Sequence, residues 1–171
     1  PSEKRILNEG DIVGIDFGVF KDGFYADAAF TFPVGNVDDD AKKLLEITKD
    51  SLFRGISNAK LGNKLFDISK SIQDCVESHG FSVVRSYVGH GIGRNLHEDP
   101  QVPNFCKPKN HSHNVVLEEG MCLAIEPMVN LGSRHIRTDE DGWTIRTQDG
   151  KPSAHFEHSI LITKFQPRIL T

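Results

Sequence analysis

Residues 11–32 read DIVGIDFGVFKDGFYADAAFTF. Val13, Ile15, Phe17 and Val19 alternate with Ile12, Gly14, Asp16 and Gly18. That is the period of two that sends successive side chains to opposite faces of a strand. A second alternating run starts at Phe24, and Asp22-Gly23 between the runs suits a tight reversal, so the segment is predicted to be a β-hairpin. One face is apolar. The other carries small residues and two carboxylates, Asp16 and Asp27, in positions where strands usually exclude acids.

Beyond the hairpin the period changes. VDDDAKKLLEITKDSLFRGI (37–56) has acidic capping residues at Asp38–Asp40 and an apolar stripe of Leu44, Ile47, Leu52 and Ile56, which predicts a helix. KLFDISKSIQDCVESHG (64–80) predicts a second, with Leu65, Ile68, Ile72 and Val76 inward and Gly80 as its stop. FSVVRSYV (81–88), MCLAIEPMVN (121–130), GWTIRTQ (142–148) and SAHFEHSILIT (153–163) read as strands, residues 101–113 as loop, and Asp141-Gly142 as a turn. Strands, two helices, then strands point to an α+β fold with an antiparallel sheet.

The 171 residues are enough for one domain, and no linker, repeat or low-complexity tract divides them. A net charge of −4 argues against nucleic-acid binding, which needs a basic field. No stretch has the length of a membrane span and no signal peptide is visible. Cys75, Cys106 and Cys122 form no close-spaced pair and read as reduced thiols of a cytoplasmic protein.

Four acids interrupt the predicted strands: Asp16, Asp27, Glu126 and Glu157. If Asp22-Gly23 forms the turn, Gly18 lies opposite Asp27, and Asp16 is diagonal to Asp27 on the same face. If Lys21-Asp22 forms it, Asp16 and Asp27 face each other directly. A three-residue loop would separate their faces. In either two-residue register the like charges oppose each other unless a cation lies between them. The plainer readings are a solvated sheet face for this pair, and a strand edge or salt bridge for Glu126 and Glu157. All four sit among small or apolar neighbours, which weakens those readings jointly.

The segment SYVGHGIGRNLHEDP (86–100) adds His90 and His97. Four carboxylates and one imidazole form an oxygen-rich donor set suited to two divalent ions such as Mn, Fe or Co. No cysteine belongs to the set, so a structural zinc site fits poorly. Bridging carboxylates can hold two ions with a water or hydroxide between them as nucleophile. For His97 the plain alternative is a loop histidine paired with Glu98 or Asp99.

IDFGVFKDGFYADAAFTF, SYVGHGIGRNLHEDP, LAIEPMVN and DGWTIRTQDGKPSAHFEHSILIT together resemble type I methionine aminopeptidases of the M24 metallopeptidases. The resemblance runs from about Asn8 to the C-terminus. It implies the pita-bread fold, a curved antiparallel sheet with helices on its outer face, over a single catalytic domain, 1–171. It also implies metal ligation by Asp16, Asp27, His90, Glu126 and Glu157. Asp27 and Glu157 would bridge, Asp16 would bind one ion, and His90 with Glu126 the other. His97 would contact the substrate amide and Glu126 would also shuttle a proton. The implied reaction is removal of N-terminal methionine ahead of a small residue. The implied partners are peptide and nascent-protein N-termini, with the ribosome as a further candidate, for a cytoplasmic monomer.

The same resemblance leads one to expect a segment ahead of Pro1. The chain is therefore expected to be partial at its N-terminus, with Val13, Ile15 and Phe17 uncovered, the substrate pocket incomplete and the isolated chain impaired. Leu96 stands where many members place an aromatic residue against the methionine side chain, and Tyr87 and Trp143 are candidate pocket walls. His155 stands where Gln is frequent, on the strand face of Glu157, and reads as a neighbour of the metal site or a solvent-facing residue rather than a ligand. The competing functions are a non-catalytic pita-bread binding module and a prolidase-like peptidase.

Overall fold

Asp22 and Gly23 adopt φ of 52° and 87° in the computed structural model, which describes residues 3–106 and 114–171. Two consecutive positive φ values are what a two-residue hairpin turn matched to strand twist requires, and Asp tolerates the first. The turn joins β1 (Ile12–Lys21) to β2 (Phe24–Pro33), with Lys21 opposite Phe24 and Gly18 opposite Asp27. The first of the two-residue registers therefore holds: Asp16 pairs with Ala29, one step diagonal from Asp27 on the same face.

Helix α1 (Asp39–Asn58) begins at the N-cap Asp38, whose carboxylate accepts the Ala41 N–H at 2.6 Å. Such a cap satisfies one of the donors that a helix start leaves orphaned. Helix α2 (Leu65–Ser78) starts with the Asp67 carboxylate accepting the Lys64 N–H, and Asn114 accepting the Phe66 N–H from a distant part of the chain. It ends just before Gly80, at φ 82°. Leu44, Ile47, Leu52 and Ile56 of α1 and Leu65, Ile68, Ile72 and Val76 of α2 are all buried in one apolar cluster. Gly55 lets the helices approach closely, since a Cβ there would stand 2.9 Å from the Ile72 side chain.

The remaining strands are short: β3 (Ser82–Val83), β4 (Gly89–Gly91), β5 (Glu98–Val102), β6 (Cys122–Ile125), β7 (Met128–Asn130), β8 (Ile136–Thr138), β9 (Ile145–Thr147), β10 (Ser153–His155), β11 (His158–Leu161) and β12 (Arg168–Ile169). All pairings are antiparallel. They form sheets ordered β10-β7-β3 and β12-β11-β6-β4-β5, beside the β1-β2 and β8-β9 hairpins.

Three expectations need correction. FSVVRSYV forms strand only at Ser82–Val83, so His90 is delivered by β4 and not by a strand through Tyr87. Residues 101 and 102 belong to β5, an edge strand that tolerates Pro100 because an edge needs fewer ladder donors; residues 107–113 of the expected loop lie outside the described residues. MCLAIEPMVN and SAHFEHSILIT each break into two strands. The breaks fall at Glu126-Pro127 and Phe156-Glu157, so these acids occupy strand junctions rather than strand interiors. At each break the chain leaves one sheet for the other: β6 and β11 lie in the five-stranded sheet, β7 and β10 in the three-stranded one.

Candidate metal centre

The β1-β2 hairpin meets the β10-β11 junction along a seam. Thr31, Ala29 and Asp27, alternate residues of β2, face His155, Glu157 and Ser159. The Thr31 hydroxyl donates to the His155 carbonyl (2.7 Å) and accepts the His155 N–H (2.9 Å). The Glu157 N–H donates to the Ala29 carbonyl at 2.8 Å. The Asp27 N–H donates to the Ser159 hydroxyl, which donates back to the Asp27 carbonyl, both at 2.9 Å. Two side-chain hydroxyls thus stand in for backbone partners and hold Asp27 beside Glu157.

From the other side β4 lies between β5 and β6 and carries His90 opposite Ala124. Its flanking glycines are a packing requirement. A Cβ on Gly89 would run into the Ala124 carbonyl oxygen, and one on Gly91 into that of Asp99. Neither glycine has positive φ, so close approach and not backbone conformation selects them.

Asp27, His90 and Glu157 are all buried, and one ligand atom from each lies within 4.8 Å of the others. His90 Nδ1 lies 2.9 Å from the Gly91 carbonyl oxygen. A carbonyl only accepts, so Nδ1 carries the proton and Nε2 presents its lone pair. Nε2 stands 3.4 Å from Glu126 Oε1. This is the arrangement of a metal-ready imidazole whose other nitrogen is held by the backbone.

The electrostatics require a counter-charge. Burial, then the charges of Glu126, Asp27 and Asp16, push the Glu157 carboxyl up to about 9. Its Oε1 is buried without a hydrogen-bond partner. Burial also raises Asp16, as does Asp27, while His155 and His90 oppose the rise. An orphaned acid oxygen among further carboxylates and a free imidazole lone pair fits a divalent cation.

A cleft of about 930 Å³ opens over this centre. Asp16, His90, His97, Glu126, His155 and Tyr87 line it, whereas Asp27 and Glu157 are buried and do not. The His97 ring packs edge-on against His90, with centroids 4.4 Å apart. Leu96 packs instead near Gly18 of β1, where a Cβ would stand 3.1 Å from its side chain. Trp143 is 86% exposed, in the turn of the β8-β9 hairpin, and is not a wall of the cleft. The hairpin contributes Ile136, Ile145 and Arg146 as a wall instead. Residues 136–147 read IRTDEDGWTIRT, two copies of IRT around Asp-Gly, a hairpin signal of which only the second half was read as strand. Thr31, Ser159 and Asn104 were also unforeseen. The Asn104 amide donates to the Glu126 carbonyl at 3.0 Å, a contact across sequence that local pattern does not reveal.

Acids and histidines converging in an α+β fold of this topology define a metallohydrolase-type centre. The chain belongs to metallopeptidase family M24, whose pattern matches residues 1–164. It is 53% identical to methionine aminopeptidase 1 of Bacillus subtilis (strain 168) over 98% of this chain and 66% of that protein. The methionine aminopeptidase structure of Thermotoga maritima superposes with a TM-score of 0.93 at 49% identity, covering 98% of this chain and 66% of that one. The prolidase of Pyrococcus furiosus shares the fold alone, at 24% identity and a TM-score of 0.77 over 98% of this chain and 43% of that one. The chain thus spans about two thirds of the length of the curated relatives it matches. The fold is the pita-bread fold of these neighbours.

Proposed function

We propose that the protein is a metal-dependent aminopeptidase that removes N-terminal methionine from newly made proteins. The observation that carries this reading is the convergence of buried Asp27, His90 and Glu157 beneath a cleft lined by His97 and Glu126. The similarity to methionine aminopeptidases supports the substrate class. Asp16, Asp27, His90, Glu126 and Glu157 would hold two divalent ions, Mn, Fe or Co, with Asp27 and Glu157 as the shared pair. When bound, the ions would supply an activated water and polarise the scissile carbonyl. His97, exposed in the cleft beside His90, donates to the substrate amide or its developing oxyanion. Glu126, at the cleft wall, carries the proton to the leaving amine. Tyr87 borders the space for the methionine side chain.

The test is methionine release from a Met-Gly peptide, set against an Xaa-Pro dipeptide, with and without chelator. The expected result is Met-Gly cleavage that stops on chelation and returns with Mn or Co. Cleavage of Xaa-Pro in its place would overturn the substrate assignment, and chelator-resistant cleavage would overturn the metal assignment.

A further inference from the structure

Asp16 is the most exposed of the carboxylates gathered at the centre. Asp27 is tied by Ser159, the Glu157 main chain by Ala29, and the Glu126 main chain by Asn104. The Asp16 side chain is 56% exposed and sits on a hairpin whose first strand pairs, among the described residues, only with β2. No hydrogen bond to its carboxylate is found among the described residues.

Among the described residues, the side chain within ion-pair range of that carboxylate is that of His155. His155 ends β10, with its main chain clamped by both hydrogen bonds to Thr31 and its Cα paired with Met128. Its ring stands between two acids from different elements. Nδ1 is 4.0 Å from Asp16 Oδ2, and Nε2 is 3.7 Å from Glu126 Oε2. Both separations exceed a hydrogen bond but lie within ion-pair range. Nε2 is closed off from solvent and has no hydrogen-bond partner among the described residues. An imidazole offers a nitrogen at each of two edges and so can face two carboxylates while its backbone stays fixed in a sheet.

We propose that His155 is a positioning residue for the divalent-cation site, bridging Asp16 and Glu126 and holding the exposed Asp16 carboxylate in its ligating orientation. This rests on the metal-site reading above. It acts through Asp16, in the manner of the outer partners that orient metal ligands.

The experiment is calorimetric Mn²⁺ binding to the native protein, H155A, H155L, H155Q, D16N and D16N/H155A, with melting temperatures as a control on folding. H155L keeps bulk but no nitrogen, so H155A and H155L should both weaken binding by roughly ten-fold or more. H155Q, whose amide can face the same acids, should recover most of the affinity. In the D16N background the H155A loss should vanish, because coupled residues are non-additive. The Co²⁺ visible spectrum should shift in H155L and not in H155Q. Unchanged Mn²⁺ affinity in folded H155A and H155L, or the same loss with and without D16N, would overturn the proposal. Failure of the native protein to bind Mn²⁺ would overturn the metal-site reading and this inference with it. Absence of methionine release with Mn²⁺ binding intact would overturn the substrate assignment alone.

Discussion

Glu157 carries a buried carboxyl with three other acids for neighbours. Its folded-state value of about 9 lies above the ordinary 4.5. Between these values the metal-free folded protein keeps a proton that the unfolded chain has released, so stability falls as pH rises through that window. Thermal melts in chelator should show the native protein losing more stability between pH 5 and pH 9 than Glu157→Gln, which carries no such proton. Equal losses would mean that Glu157 is not held protonated. A divalent ion should restore the native protein at the alkaline end, because it replaces the proton as the counter-charge. The residue itself was legible as an acid among apolar neighbours in HFEHSI. Its place at a strand junction was not, because the break there is made by a change of sheet and no Gly or Pro announces it.

At the scale of elements, β4 is the tightest joint. It is three residues long, lies between two neighbours, and carries His90 with glycine on each side. Gly91→Ala drives a methyl group against the Asp99 carbonyl, with no flexible side chain to yield. Overpacking of this kind costs about 1–3 kcal/mol. The expected outcome is a lower melting temperature together with weaker Mn²⁺ binding, since β4 must move away from β5 and take His90 with it. An unaltered melting temperature would show that the joint relaxes freely. Carbonyls crowd GHG on both sides, from Ala124 of β6 at Gly89 and Asp99 of β5 at Gly91. The 3.6-residue stripes of the helices and the Asp38 cap are local, and every stripe residue named from the sequence is in the core. The IEP junction was harder. Pro127 withholds a ladder donor, a signal present in the sequence, yet where the chain goes after the break depends on which strand it meets.

Across the whole molecule the polar and apolar faces of the first hairpin have opposite fates. The polar face builds the centre. The other presents Ile15, Phe17 and Val19, which are 49%, 59% and 47% exposed, beside Phe32 at 43%. Phe17→Ser should leave the melting temperature nearly unchanged, within about 0.5 kcal/mol, because little burial is lost. It should also lower binding of a hydrophobic dye, since contiguous exposed apolar surface is what such a dye detects. A large drop in stability would mean that Phe17 is packed in solution. Phe30 on the same face is instead turned into the molecule, stacked edge-on with Phe156 at 4.6 Å, so the patch covers only part of the hairpin.

By itself the sequence determined what is settled by neighbours in the chain. The two-residue period and the Asp22-Gly23 signal announce the hairpin and put Asp16 and Asp27 on one face in either two-residue register, and the apolar stripes mark both helices; the structure chose the register. The sequence also singled out Asp27, His90 and Glu157 as candidate donors, because acids and a histidine stand out among small or apolar neighbours. Only the tertiary structure decided that Asp27, His90 and Glu157 meet. It decided that hydroxyls of Thr31 and Ser159 weld the hairpin to the β10-β11 junction, that Trp143 turns outward while Ile145 and Arg146 form the wall, and that His155 stands between two acids. Pairings between distant strands follow from the packing of the whole core and from which main-chain groups remain unsatisfied, quantities that no local window of sequence contains.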